Sequence, residues 1–344
     1  MHKLLVRRPG GHRALEWTET AEPVAMKGQV LVRVAAAGVN YADCLVRMGW
    51  YSAAKGRYPL TPGFEFAGTV EAVGPGAGRF SPGERVFGLL RFGAYAEKVV
   101  VDERWLWRCP AAWSLEDCAA FPTVFLTAWY GLLRAARVEP GELVLVPSAA
   151  GGVGSALLQL CAACGCPAVG IVGSEEKVAA ARAHGARAVI VRGTRDPWKA
   201  ARAHAPEGYD VVFDSGGPQT LREGYALLSK GGRLVVYGFA ELFPRGAARP
   251  NPLGVLWRGS RVPRFSPLEL TSANRGVLGF NVVHLFDRPD LASRAMEQLL
   301  GWIAEGKVRP LARTDFPAER AAQAHAALES GATVGKLVLV FAPI

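Results

Sequence analysis

Leu143-Val144-Leu145-Val146-Pro147-Ser148-Ala149-Ala150-Gly151-Gly152-Val153-Gly154-Ser155-Ala156 is the stretch on which the reading of the fold turns. Leu143–Pro147 is a short apolar run of the length expected for a buried strand. Small residues follow, and then an apolar helical stretch through Cys161. In a strand, glycine-rich turn and helix of this kind, missing side chains let a diphosphate approach backbone N–H groups at the positive end of the helix. Glycines alone are a weak signal, and Ser148 or Ala149 replaces the first glycine of the usual G-x-G-x-x-G. The flanking strand and helix give the turn its meaning, so Ala150, Gly151, Gly152, Val153 and Gly154 are the candidate dinucleotide cradle.

Downstream, the same alternation continues. Ala168–Val172 is a strand candidate followed by a helix over Glu175–His184, and Ala188–Val191, Val211–Asp214, Arg233–Tyr237 and Gly276–Asn281 extend the series. Strands alternating with helices predict a doubly wound parallel sheet with right-handed crossovers. The first 120 or so residues have another texture: Lys3–Arg7, Gln29–Ala37, Glu65–Val73, Arg85–Leu89 and Ala94–Val101 are short apolar runs separated by Gly and Pro, as in a mostly β domain. Asp290–Glu305 has the spacing of an amphipathic helix, and Lys336–Phe341 reads as a strand returning to the first domain. Ala247–Thr271, rich in Pro and Arg, fits neither pattern.

The end of the second parallel strand discriminates between cofactors. An NAD site wants an acidic residue there for the ribose hydroxyls. Here Val172 is followed by Gly173-Ser174-Glu175-Glu176-Lys177, so Ser174 and Lys177, with Arg192 after the next strand, are candidates to hold a 2′-phosphate. Glu175 and Glu176 suit the first turn of a helix equally well. The expected cofactor is therefore NADPH.

Composition excludes several classes. The net charge of +10 comes from scattered Lys and Arg with no nucleic-acid motif. No apolar run is long enough to span a membrane, and the N-terminus lacks the pattern of a secretory signal, so the expected location is the cytoplasm. Six cysteines in 344 residues are too few and too irregular for a disulfide framework. Cys161-Ala162-Ala163-Cys164-Gly165-Cys166 lacks a fourth ligand for a metal clip.

Five motifs in order, Gly38-Val39-Asn40-Tyr41-Ala42-Asp43, Gly49-Trp50-Tyr51, Pro62-Gly63-Phe64-Glu65-Phe66-Ala67-Gly68, Ala149–Gly154 and Gly335-Lys336-Leu337-Val338-Leu339, resemble the quinone oxidoreductase branch of the medium-chain dehydrogenase/reductase superfamily. Leu268–Phe280 is similar to the vesicle-amine-transport-protein-like reductases within it. The resemblance implies an α/β fold with a mostly β GroES-like catalytic domain, residues 1–120 and 288–344, and a Rossmann NADPH-binding domain over 121–287. It also implies a homodimer and an active site in the cleft.

Zinc-dependent relatives place Cys and His where this chain has Asn40 and Phe64, neither a good zinc ligand, so no metal is expected. Carried over from the motifs, Asn40 and Tyr51 are the candidates to face the substrate. Thr127, Phe239, Phe280 and Asn281 would surround the nicotinamide, and Lys336 would approach the cofactor phosphates. The activity implied is NADPH-dependent reduction of a quinone or an α,β-unsaturated carbonyl. The alternatives are a 2-enoyl thioester reductase and a non-catalytic NADPH-binding protein with a regulatory or membrane-peripheral role.

Overall fold

The strand expected at the glycine-rich stretch is present over Val144–Pro147, every residue of it buried, and the helix after the turn covers Gly152–Ala163. This computed structural model describes residues 1–193, 196–243 and 251–342. Val144–Pro147 lies inside a six-stranded parallel sheet with the spatial order Ala188–Val191, Ala168–Val172, Val144–Pro147, Tyr209–Asp214, Leu228–Val236, Gly276–Gly279. Chain order reverses between Val144–Pro147 and Tyr209–Asp214, and such a reversal opens a crevice beyond the carboxyl ends of the strands. Val, Leu and Ile dominate these short strands because helices cover both faces and leave no side for polar residues.

The second sheet is antiparallel apart from one pair and draws on both ends of the chain. Its backbone is Gln29–Val39, paired with Glu65–Val73 on one side and with Lys336–Val340 on the other; Lys98–Asp102 also pairs with it. Arg85–Leu89 and Leu106–Arg108 extend the sheet beyond Glu65–Val73, and Arg313–Pro317 lies parallel to Lys336–Val340 at the far edge. Its apolar face closes on an aromatic cluster in which Phe121 meets Phe87, Trp113 and Phe125 at centroid distances of 5.7, 5.3 and 4.8 Å. Tilted and edge-on contacts of this sort suit the ring quadrupole, and each is worth about 1 kcal/mol beyond area burial.

Several elements differ from the sequence reading. Glu175–His184 is a 3-10 turn, Glu175–Lys177, running into a helix over Val178–Ala183. The unassigned region contains two helices, Pro252–Gly259 and Pro267–Ala273, each opening on a proline whose missing N–H costs nothing in a first turn. Ala247–Pro250 lies outside the described residues. Glu16–Glu19 pairs with His2–Leu5, although its charged ends hide the alternation. Asn40–Asp43 opens a helix over Tyr41–Met48, where the Asp43 carboxylate accepts from Asn40 N at 2.9 Å.

That helix also carries Arg47, which is wholly buried and donates from Nη2 to Glu329 Oε1 at 2.6 Å; His12 Nε2 lies 2.9 Å from the other carboxylate oxygen. The cluster ties the N-terminal segment to the helix Ala321–Ser330. Cys44 and His325 stand beside Glu329 in a constellation of metal-ligand type, but the carboxylate is already engaged by Arg47 and His12.

Candidate active site

The carboxyl ends of the parallel strands line one rim of a crevice. Ser148 leaves the first strand with φ of +57° and turns the chain into the helix. Gly154 packs that helix against the turn: a Cβ there would lie 2.3 Å from Ser148 O and 2.8 Å from Ala149 Cα. No side chain caps the helix, and its first turn contains no acid. Its unpaired N–H groups and positive end fit a diphosphate. At the end of the neighbouring strand Gly173 is exposed, and an added Cβ there would meet nothing within 4 Å.

Two residues with cationic side chains lie next to that end in the backbone. Arg192 N donates to Val172 O at 2.9 Å, which seats Arg192 beside Gly173 and Ser174. Lys177 Nζ donates to Gly331 O at 2.8 Å and Thr333 O at 3.0 Å, so the loop from the other domain orients the ammonium. Ser174 is half-buried, and no acidic residue occupies the strand end itself.

The opposite rim comes from the antiparallel domain. Tyr51 packs edge-on against Phe64 and Phe92, with centroids 5.5 and 6.4 Å away, and its hydroxyl donates to Asn281 Oδ1 at 3.3 Å across the crevice. Burial raises its pKa above the usual phenol value, so Tyr51 holds its proton at neutral pH. Tyr41, not singled out from the sequence, reaches the same crevice and donates to Ala240 O at 3.4 Å. Phe64 stands where a zinc-dependent relative has a histidine, and here it builds an apolar wall.

Asn40 lies deeper and is polar on both ends. Nδ2 donates to Glu65 Oε1 at 2.7 Å, and Oδ1 accepts from Lys336 Nζ at 2.5 Å. Lys336 and Glu65 form a buried ion pair at 2.7 Å, and Glu65 Oε2 takes the Thr123 N–H at 2.7 Å. The expectation that the Lys336 ammonium reaches the cofactor phosphates therefore gives way to other partners. Its stem passes the diphosphate turn, with Cδ 3.6 Å from where Gly152 would carry a Cβ, but the charge ends on Glu65 and Asn40. A buried carboxylate attracts a cation more strongly than an open rim does. Nothing in the string Gly335-Lys336-Leu337 distinguishes the two destinations.

The remaining candidates divide. Asn281 meets Tyr51, and Phe239 is exposed on the rim. Thr127 turns its hydroxyl back onto its own helix, donating to Thr123 O at 2.7 Å. Phe280 packs on Tyr130 and Tyr237, at 4.9 and 6.3 Å, and so supports the rim from behind. Beneath the site, Asp43 accepts from the backbone N–H groups of Asn40 and Gly63 at 2.9 and 2.8 Å; burial nonetheless pushes its pKa up to about 7.

Comparison with known proteins agrees with this fold. Residues 26–111 match the alcohol dehydrogenase GroES-like domain, and residues 184–339 match the zinc-binding dehydrogenase family. The synaptic vesicle membrane protein VAT-1 homolog of Rattus norvegicus is 34% identical over 323 residues, spanning 93% of this chain and 79% of that protein. Quinone oxidoreductase of Lama guanicoe is 31% identical over 352 residues, 99% of this chain and 97% of its own length. The crystal structure of Escherichia coli quinone oxidoreductase complexed with NADPH superposes with a TM-score of 0.85 at 26% identity, covering 99% of this chain and 100% of that one. With two family matches and relatives of this identity over most of their length, the chain belongs to the medium-chain dehydrogenase/reductase superfamily, alongside the VAT-1 homologues and the quinone oxidoreductases.

Proposed function

We propose that this protein is a zinc-independent oxidoreductase that uses NADPH to reduce a quinone or a conjugated enone. The observation that carries the reading is the uncapped, acid-free helix start after Val144–Pro147, flanked by Lys177 and Arg192 and facing a rim that bears Tyr51. The names of the relatives and the NADPH complex of one of them support it. Bound NADPH supplies a hydride, so the chain has to supply position, a dry wall and a proton.

Each part has a candidate residue. The first-turn N–H groups at Gly152–Gly154 hold the diphosphate, while Lys177 and Arg192 take the 2′-phosphate. Phe64, Phe92 and Phe239 keep water from an apolar, electron-poor acceptor. The single proton of the Tyr51 phenol, directed in the structure at Asn281 Oδ1, would be turned from that oxygen to the acceptor oxygen that gains charge on reduction. Asn40 and Phe64 replace ligands that zinc would need, which supports polarisation of the acceptor by hydrogen bonds.

The open edge of Gly276–Gly279 and the exposed Leu253, Leu256, Trp257 and Leu268 just before it support a homodimer. Steady-state oxidation of NADPH with a panel of quinones, enones and 2-enoyl thioesters tests the activity. Turnover with the first two classes is expected, and no turnover with any class would dismiss the proposal. Stoichiometric zinc in the purified protein would dismiss its metal-free part.

A further inference from the structure

The dipeptide Gly335-Lys336 touches both halves of the site. Gly335 N donates to Ala150 O at 2.8 Å, and Gly335 bridges Gly151 in the diphosphate turn. The next side chain, almost wholly buried, delivers its ammonium to Asn40 Oδ1 and Glu65 Oε1. Gly38 makes room for this arrangement, because a Cβ there would lie 2.4 Å from Glu65 Oε1. The result is a permanent cation held against the side chain that occupies a metal-ligand position of zinc-dependent relatives.

The chemistry of Asn40 follows from that contact. Its carbonyl oxygen is engaged by a cation and one amide hydrogen by a carboxylate, which leaves one N–H of Nδ2 for the crevice. A cation on the oxygen draws density from the amide nitrogen, and hydrogen bonds in such a chain strengthen one another in a low-dielectric site. Asn40 is only half-buried, so that N–H lies within reach of an acceptor. We propose that Lys336 is a positioning residue for the reduction: it fixes and polarises the Asn40 amide, so that Asn40 donates to the substrate carbonyl oxygen as charge develops there. The proposal rests on the reading of the crevice as a reductase site. Here a lysine supplies, through an amide, the positive field that a metal would apply directly.

A competing, purely structural role is that Lys336 only neutralises Glu65. Comparing Glu65→Gln with Glu65→Gln/Lys336→Met separates the two, since the second pair member differs from the first by the lysine alone and leaves no unpaired carboxylate. The kcat of the double variant should fall about 10- to 100-fold below that of Glu65→Gln, the loss expected for one charge-assisted hydrogen bond. NADPH Kd should stay within about threefold, because the contact with the diphosphate turn is made by backbone. In an Asn40→Ala background, removing Lys336 should change kcat less than about twofold. Equal rates for the two Glu65→Gln proteins, an undiminished lysine effect without Asn40, or a loss confined to NADPH affinity would each overturn the proposal.

Two further readouts cover other failures. If the charge variants do not fold, Asn40→Ala alone must lose the same factor in kcat, and a wild-type rate there overturns the proposal. The chain has four asparagines, Asn40, Asn251, Asn274 and Asn281, so selective 15N-asparagine labelling gives a side-chain spectrum in which Asn40→Ala identifies one pair. That signal should move between Glu65→Gln and Glu65→Gln/Lys336→Met with no substrate present, and an unmoved signal overturns the proposal. Because this measurement needs no turnover, an inactive wild-type protein would defeat the reductase reading while the lysine–amide contact is still decided.

Discussion

Replacing Gly335 by alanine should both destabilise the protein and weaken its hold on NADPH. Gly335 has φ of +64°, and a Cβ there would lie 1.8 Å from Ala312 O. Left-handed backbone costs a non-glycine residue about 1 kcal/mol, and forcing a methyl group into backbone adds roughly 1–3 kcal/mol. Any shift also breaks the Gly335 N to Ala150 O bond, worth about 1 kcal/mol. The loss is then about 3–5 kcal/mol, which at roughly 2 cal/mol/K per residue lowers Tm by about 4–7 °C for a chain of this size. Thermal melts with and without NADPH, and a fluorescence titration of the cofactor, measure both effects. Gly301→Ala is the control: it lies inside the helix Pro289–Ala304 with nothing within 4 Å of its Cβ position, so it should stabilise by about 1 kcal/mol. A Gly335→Ala protein with unchanged Tm and unchanged NADPH affinity would refute the reasoning that this strap joins the domains through the diphosphate turn.

Other substitutions probe separate parts of the site. Lys177→Met should raise the Kd for NADPH by about tenfold or more and leave that for NADH within about twofold, as read by calorimetry; equal losses for both would take the 2′-phosphate away from Lys177. Tyr51→Phe should cut kcat by about 10²-fold or more with little change in NADPH affinity, and undiminished turnover would reduce Tyr51 to a wall of the pocket. Asp43→Asn bears on pH. Burial raises the Asp43 pKa from 3.8 to about 7, so the folded state holds a proton that the unfolded chain has lost, and the stability this group contributes is full below pH 3.8 and declines as pH rises to 7. Denaturant melts of wild type and Asp43→Asn should therefore show the wild type losing stability relative to the variant between pH 5 and 7, by at most about 1.4 kcal/mol per unit, and then running parallel. A constant difference across that range would show that Asp43 is ionised throughout.

The parallel domain was legible because its signal is local. Ala168–Val172 and Ala188–Val191 appear in the structure with the bounds read from the sequence, and Val144–Pro147 is one residue shorter. Each is an apolar run between turn residues, which needs no knowledge of its neighbours. The turn and helix start at Gly151–Gly154 were legible for the same reason. The destination of Lys336 was not, because its partners Asn40 and Glu65 lie far upstream, Asn40 by 296 residues, and the choice between phosphate and carboxylate depends on burial. Arg47 and Glu329 were equally hidden, since an arginine in a polar-faced helix gives no local sign of being wholly enclosed. Thr127 was implied by the family resemblance, yet its hydroxyl is spent on Thr123 O, a contact that helical residues four apart make without reference to any ligand.

The claim beneath the whole reading is that the helix start at Gly152–Gly154 and the cations at Lys177 and Arg192 together hold a phosphorylated nicotinamide dinucleotide. Isothermal titration of the purified protein with NADPH and with NADH tests it most directly. The reading predicts one site per chain for NADPH, at least about tenfold tighter than for NADH. Absence of heat with either dinucleotide would contradict the cradle, and tighter binding of NADH would contradict the part assigned to the two cations.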